Sequence, residues 1–223
     1  MGTVTAIVSA YHAIKYLEGR IDNLLSQNPI PQVVVVAQAG SMECSIAGDW
    51  PVTLLQTAGI PTIYQAWNEA IKEARNDYIV VANSDDRFYP GALEVLADDL
   101  DANPHFALCY ADCDVVHSIG GDPVNRYQWA EGGFEELLEV CFVGPMPMWR
   151  RSLHYTYGYF DEAMKSAGDY EFWLRITKQG ERLHHIKRSV GAYLARRDSA
   201  ERREPLRTIW ETARARSRYA IAL

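Results

Sequence analysis

Short apolar runs alternate with helical periodicity through the first half of the chain. Residues 5–9 read as a β-strand. Leu17, Ile21, Leu24 and Leu25 then recur at i, i+4, i+7 and i+8, which predicts a helix over 17–27, stopped by Asn28-Pro29. Residues 32–37 form an unbroken run dominated by valine, the mark of a strand buried on both faces. Residues 52–55 predict a third strand. Within 61–75, Ala66, Trp67, Ala70 and Ile71 share one side of a helix. Residues 78–83 predict a fourth strand. A helix follows over 91–100, with Pro90 near its first turn, where a missing N–H is harmless. Residues 106–110 predict a fifth strand. Strands alternating with helices over about 110 residues imply a three-layer α/β/α fold around a mostly parallel sheet. In such sheets ligands bind outside the carboxyl ends of the strands.

The second half is less regular. Residues 120–133, rich in Gly, Asp and aromatics, read as a long loop. Residues 134–140 predict a helix. Residues 144–149 are strand-like but carry Pro145 and Pro147, which suggests an edge or bent strand. Residues 169–179 predict a helix ended by Gly180. From residue 196 onward the chain holds arginines at 196, 197, 202, 203, 207, 214, 216 and 218. Interleaved acids Asp198, Glu201, Glu204 and Glu211 favour a mixed-charge surface helix over a strip facing an anionic membrane or a neighbouring domain.

A length of 223 residues suits one large α/β domain or two small ones. The net charge of -7 argues against a nucleic-acid partner, whose phosphates demand a basic face. No apolar run reaches the length of a membrane span, and no signal peptide is visible. Cys44, Cys109, Cys113 and Cys141 contain no CxxC pair and are expected to be reduced, as in a cytoplasmic protein.

Two acidic positions stand out. The fourth strand runs into Ser84-Asp85-Asp86. Adjacent acids at the end of a buried strand need compensation, which a hard divalent cation such as Mg2+ or Mn2+ supplies while keeping substrate phosphate in its shell. A turn, or a cap on the helix after Pro90, would use the same acids. The second position is Asp169, at the start of a helix whose buried face is Tyr170, Trp173 and Leu174. The helix dipole favours an anion there. Asp169 reads as an N-cap, or Ser166 is the cap and Asp169 lies at the third position. Glu171 lies off the buried face and is expected in solvent, paired with Arg175.

Four segments in order resemble the GT-A-fold glycosyltransferases of family 2. Ile7-Val8-Ser9-Ala10-Tyr11-His12, with Tyr16-Leu17 and Gln27, resembles the opening strand I-I-P-T-Y-N and the helix after it. Residues 34–41 resemble V-V-D-D-G-S. Tyr64-Gln65-Ala66-Trp67-Asn68, running on to Asn83-Ser84-Asp85-Asp86, is similar to the Y-x-A-x-N helix and the DxD element. The most specific block is Arg150-Arg151-Ser152-Leu153, Gly158-Tyr159-Phe160-Asp161-Glu162 and residues 168–175. The resemblance spans roughly residues 4–195 and implies a GT-A, Rossmann-like fold.

The resemblance also implies roles. Asp85, last of the DxD triplet, would bind Mn2+ or Mg2+ under the donor diphosphate, with Asp86 in support. Asn83 would touch the ribose or donor sugar, and Asp169 would be the general base. Ser9, Tyr11, Gln38, Asn68, Asn83 and Ser84 make up the implied donor-binding set. The chain departs from the pattern at several positions. Asn83 replaces an Asp, Ser9 a Pro, and His12 an Asn. Gln38-Ala39 stand in for the acidic pair that commonly reads uracil, and Gly168 stands where many relatives carry Glu. Asp112, Trp129 and Trp149 are candidate acceptor contacts, although core packing is the favoured reading of both tryptophans. His184-His185 include a possible metal ligand or are simply loop or strand residues.

The expected activity is inverting transfer of a sugar from a nucleoside-diphosphate sugar, UDP favoured, to a saccharide, lipid-linked or protein acceptor. A donor-binding half over 1–115, an acceptor and base half over 116–195, and an Arg-rich helical tail over 196–223 would divide the work. A peripheral membrane association or joining to further domains is compatible with that division. The rival is a non-catalytic nucleotide-sugar-binding module, which the changes at Gln38, Ala39 and Asn83 keep open. A nucleotidyltransferase is disfavoured, because residues 11–16 hold no glycine for a phosphate loop.

Overall fold

Valine- and isoleucine-rich strands build the first half of the sheet. In the computed structural model, which describes residues 2–196 and 204–220, β1 (Val4–Ser9) lies between β2 (Gln32–Gln38) and β4 (Tyr78–Val81), and β3 (Thr53–Thr57) flanks β2, all parallel. Successive side chains point to opposite faces. Ile7, Val34, Val36, Ile79 and Val81 therefore pack with α3 (Ile63–Glu73) and α7 (Gly168–Lys178). Ala6, Val8, Val33, Val35 and Val80 pack with α1 (Ile14–Leu25) and α4 (Ala92–Ala102). Burial on both faces explains why these strands read as continuous apolar runs.

The sheet continues through β8 (Met148–Arg150), β6 (Leu108–Val116), β9 (Leu183–Leu194) and β5 (Arg87–Phe88), in the order β3-β2-β1-β4-β8-β6-β9-β5, with β7 (Asn125–Tyr127) paired to β6. The 144–149 segment, read as an edge or bent strand, contains an internal strand: β8 runs antiparallel to both β4 and β6. Pro145 and Pro147 precede the strand and so remove no ladder donor. β6 extends well past residue 110, because Asp112 and Asp114 are buried in it and interrupt the apolar pattern without ending the strand. β9 was not anticipated. Its His, Lys and Arg residues mask the alternation, and its pairing with β6 is broken between Ala111 and Asp112.

Short α2 (Met42–Gly48), capped by Ser41 accepting from the Cys44 N–H, also lacked a periodic signal. Two further short helices are α5 (Phe134–Glu139) and α6 (Leu153–Tyr157). Gly180, at φ +94°, ends α7 as expected. The described part of the tail forms α8 (Pro205–Tyr219), which packs on α7. Glu211 and Ala215 of α8 are buried, so one face is a docked face rather than a solvated one. Arg197, Arg202, Arg203, Asp198 and Glu201 lie outside the described residues. The cysteines at 44, 109, 113 and 141 are free thiols. Among the described residues no helix is long and apolar enough to cross a membrane.

Candidate active site

The strands β1, β2 and β3 end side by side at Ser9, Gln38 and Thr57. Ser9 and Gln38 are half-buried there. Tyr11 reaches from the end of β1 to the end of β3, its hydroxyl 2.7 Å from Thr57 Oγ1. Burial pushes the Tyr11 phenol up, and the Thr57 hydrogen bond opposes it. His12 follows at φ +53°. Asn and His are among the residues that tolerate this left-handed backbone, which accounts for the exchange at this position. These side chains form a shelf on the carboxyl edge of the sheet.

At the end of β4 the two acids part company. Asp86 is buried, accepting from Asn83 Nδ2 at 3.2 Å and from the Leu194 N–H at 3.0 Å. Burial, then the charge of Asp85, pushes its carboxyl up to about 7. Asp85 is half-buried, with Oδ2 2.8 Å from Arg196 Nε. The Arg196 guanidinium also lies over the Tyr16 ring, 5.1 Å from its centroid. Arg87 braces the turn from below, donating to the carbonyls of Ser84, Asp86 and Tyr16. Arg20 is fully buried nearby, over the Phe88 ring and bonded to Asn23 Oδ1. Burial lowers its pKa to about 9, and the Asp86 charge opposes that shift. The acids do not cap α4, whose N-cap is Gly91 at φ +77°. Asp85 and Arg87 line a cavity of about 340 Å³ with Tyr89, Val116 and Ile119.

Thr62 and Gln65 cap α3 reciprocally, which fixes its first turn. Tyr64 in that turn donates to Asp169 Oδ1 at 2.9 Å, and the Tyr170 N–H donates to the same oxygen at 2.8 Å. Because α3 starts beyond the carboxyl end of β3, this bond holds Asp169 at the edge of the sheet that carries Ser9, Gln38 and Asp85. Burial, then the Asp169 charge, pushes the Tyr64 phenol well up. Neither Ser166 nor Asp169 is the N-cap of α7: that position is Ala167, which has no side-chain acceptor to offer. A Cβ on Gly168 would sit 2.7 Å from the Tyr64 ring, so the ring leaves no room there for a larger side chain.

Several expected positions are corrected. Asn68 is buried, and its amide is spent on the Phe160 backbone and Glu162, so it pins the 160–162 loop rather than facing a ligand. Glu171 is buried rather than solvated, 2.5 Å from Arg175 Nη2, 3.6 Å from Arg218 Nη1 and bonded to the Tyr219 hydroxyl. Trp149 is fully buried, donating to His154 Nε2, and belongs to the core. Asp112 is buried too, its Oδ1 2.7 Å from His185 Nε2 and accepting the Trp129 N–H. His184 pairs with Asp99 at 2.8 Å. Both histidines are thus tied to carboxylates within the fold, and no cluster of three or more His, Cys, Asp or Glu fit for a metal exists among the described residues. Trp129 keeps a partly exposed ring beside Tyr127. Pattern reading missed Arg196, Tyr64 and Glu211 as structural parts of this region. The signal for Tyr64 was its place one turn before Asn68. Arg196 and Glu211 looked like ordinary tail charges.

The family model of Glycosyl transferase family 2 matches residues 5–156. The chondroitin synthase of Pasteurella multocida is 26% identical over 188 residues, covering 81% of this chain and 19% of the relative. The hyaluronan synthase of the same organism matches with the same figures, so the chain spans 19% of the length of both enzymes. The uncharacterized glycosyltransferase YwdF of Bacillus subtilis is 25% identical, covering 78% of this chain and 68% of the relative. Among solved structures, S. aureus TarS in complex with UDP-GlcNAc superimposes with a TM-score of 0.78 at 18% identity, covering 99% of this chain and 68% of that one. The mannosyltransferase PcManGT of Pyrobaculum calidifontis, in complex with GDP-Man and Mn2+, gives 0.68 at 20% identity, covering 96% and 64%. These likenesses show a GT-A, Rossmann-like α/β fold, and the match over most of its length shows that the chain belongs to glycosyl transferase family 2.

Proposed function

We propose that the chain is an inverting glycosyltransferase that moves a sugar from a nucleoside-diphosphate sugar, UDP favoured, to an acceptor hydroxyl, with Asp169 as general base. The observation that carries this reading is the Tyr64–Asp169 hydrogen bond, which holds a half-buried carboxylate on the same sheet edge as Asp85 and the Ser9–Gln38–Thr57 shelf. The nucleoside would lie on that shelf against Tyr11, with Gln38 reading the base through its paired donor and acceptor. The UDP-GlcNAc bound by TarS and the GDP-Man bound by PcManGT support a nucleotide-sugar donor in this fold.

The residues present fit a divalent cation that arrives with its diphosphate. Such ions are commonly held by one or two carboxylates plus substrate phosphates, and Asp85 already carries a cation, the Arg196 guanidinium. Asp85, backed by Asp86, would hold Mn2+ or Mg2+, which supplies neutralisation of the departing diphosphate. Asp169 takes the acceptor proton as that oxygen bonds to the anomeric carbon. The bond from that carbon to the diphosphate breaks on the opposite face, and its electron pair leaves with the diphosphate. The donor half over 1–115, the base half over 116–195 and the tail divide these tasks. A saccharide, lipid-linked or protein hydroxyl would serve as acceptor.

Asp169→Asn is expected to lower kcat by about 10²–10⁴-fold while UDP binding by calorimetry stays unchanged. Full turnover in that variant would refute the assignment. A second reading, a non-catalytic nucleotide-sugar-binding module, is favoured by Asn83 spending its amide on Asp86. Thermal-shift screening with UDP, GDP, dTDP and CMP, each with and without Mn2+, bears on donor binding. Turnover of any nucleotide sugar excludes the module.

A further inference from the structure

The loop that enters α7 is held by a side chain from the far end of the chain. Glu211 of α8 is 3% exposed. Its carboxylate accepts the backbone N–H of Lys165 at 3.0 Å to each oxygen, of Ser166 at 2.7 Å and of Ala167 at 3.0 Å. Consecutive N–H groups converging on one anion form a backbone nest. Helix starts leave N–H groups to be satisfied from outside, and a negative charge is favoured there by the dipole. Ala167 cannot supply an acceptor, so Glu211 acts as a borrowed cap.

The rest of α8 aims that carboxylate. Arg216 Nε donates to the Tyr170 hydroxyl at 2.9 Å, Arg218 Nη1 lies 2.8 Å from Asp161 Oδ2, and Ala215 is buried in the core cluster that contains Trp173. These contacts grip α7 and its approach from several directions. Asp169 follows directly after Gly168 in the first turn of α7, so the backbone path set at 165–167 passes into the position of its carboxylate.

We propose that Glu211 is a positioning residue for the general base: clamped on the N–H groups of 165–167, it sets the start of α7 and thereby the aim of Asp169. Tyr64 holds the carboxylate from the sheet side, and Glu211 holds the backbone beneath it. Glu211 itself touches no reacting atom. The inference rests on the reading of Asp169 as base.

The test uses the full chain with Glu211→Gln and Glu211→Ala, at a temperature where both variants are folded by near-ultraviolet circular dichroism. UDP release is followed with whichever of UDP-GlcNAc, UDP-glucose and UDP-glucuronate the wild type turns over fastest. A small displacement of a catalytic group costs up to about a hundredfold in rate, so kcat should fall by about ten- to a hundredfold in Glu211→Ala and by less in Glu211→Gln. The donor KM should stay within about twofold, because the donor shelf lies elsewhere. Amide hydrogen exchange should accelerate at 165–171 and not in β1 or β2. Wild-type kcat in folded Glu211→Ala, or unchanged exchange at 165–171, overturns the proposal. Full turnover in Asp169→Asn instead overturns the base reading, and the exchange data then still report separately whether Glu211 holds the loop.

Discussion

His154 shows how tightly single protons are assigned in this core. Its Nε2 accepts from Trp149 Nε1 at 2.9 Å, and its Nδ1 faces the Gly158 carbonyl at 3.0 Å. Only the neutral ring with its proton on Nδ1 satisfies both partners. Burial lowers its pKa to about 4. A histidine depressed in this way contributes stability that is complete above the unfolded value of about 6.5 and is lost as pH falls from there toward 4. The loss amounts to about 3 kcal/mol by linkage, so urea unfolding from pH 7 to 4 should show a steeper decline for the wild type than for His154→Gln. Gly168→Ala should be destabilised by about 1–3 kcal/mol, because its Cβ meets the Tyr64 ring. Differential scanning calorimetry measures that cost. On the proposed role of Asp85, Arg196→Ala should bind Mn2+ more tightly in the absence of nucleotide, since the carboxylate loses its Arg196 partner. Titration followed by Mn2+ electron paramagnetic resonance reads that change directly. A charge on an apolar stripe is a warning that the sequence reading passed over: Arg20 lies between Leu17 and Leu24 on the buried face of α1. Glu211 gave no such warning, because its partners are backbone N–H groups 44 to 46 residues away.

Elements buried on both faces were the easiest to read. β1, β2 and β4 are continuous apolar runs and lie within a residue or two of their expected bounds. What escaped prediction, the far half of β6 and the whole of β9, carries polar residues that find partners only after folding. In β6, Asp112 meets His185 and Asp114 meets Arg126 and Tyr89. In β9 the register break leaves Lys187 to pair with Glu131 outside the ladder. The same reasoning applies to α8. Its outward face carries Leu206, Ile209 and Trp210, all exposed, while its inward face carries Glu211 and Ala215. Removal of α8 should leave Glu171 without its Arg218 and Tyr219 partners and the 165–167 N–H groups without Glu211. A chain truncated after residue 195 is therefore expected to melt several degrees lower, even though the family match ends at residue 156. Calorimetry on the truncated and full chains makes the comparison.

Across the molecule, the shelf of Ser9, Tyr11, Gln38 and Thr57 comes from the first half of the chain, and α7, with Asp169 in its first turn, from the second. That the carboxyl ends of the strands are the place to look for chemistry was legible from the alternation of strands and helices alone. Which side chains tie them together was not, because those ties are long-range. Two of them leave the same helix. Tyr64 reaches Asp169, and Asn68, one turn later on the same face of α3, holds Phe160 and Glu162. α3 thus ties two parts of the second half to one helix: its first turn holds Asp169, and the next holds Phe160 and Glu162. A change at the capped start of α3 would therefore be felt at once in two places, the entry to α7 and the 160–162 segment, which lie 92 to 105 residues further along the chain.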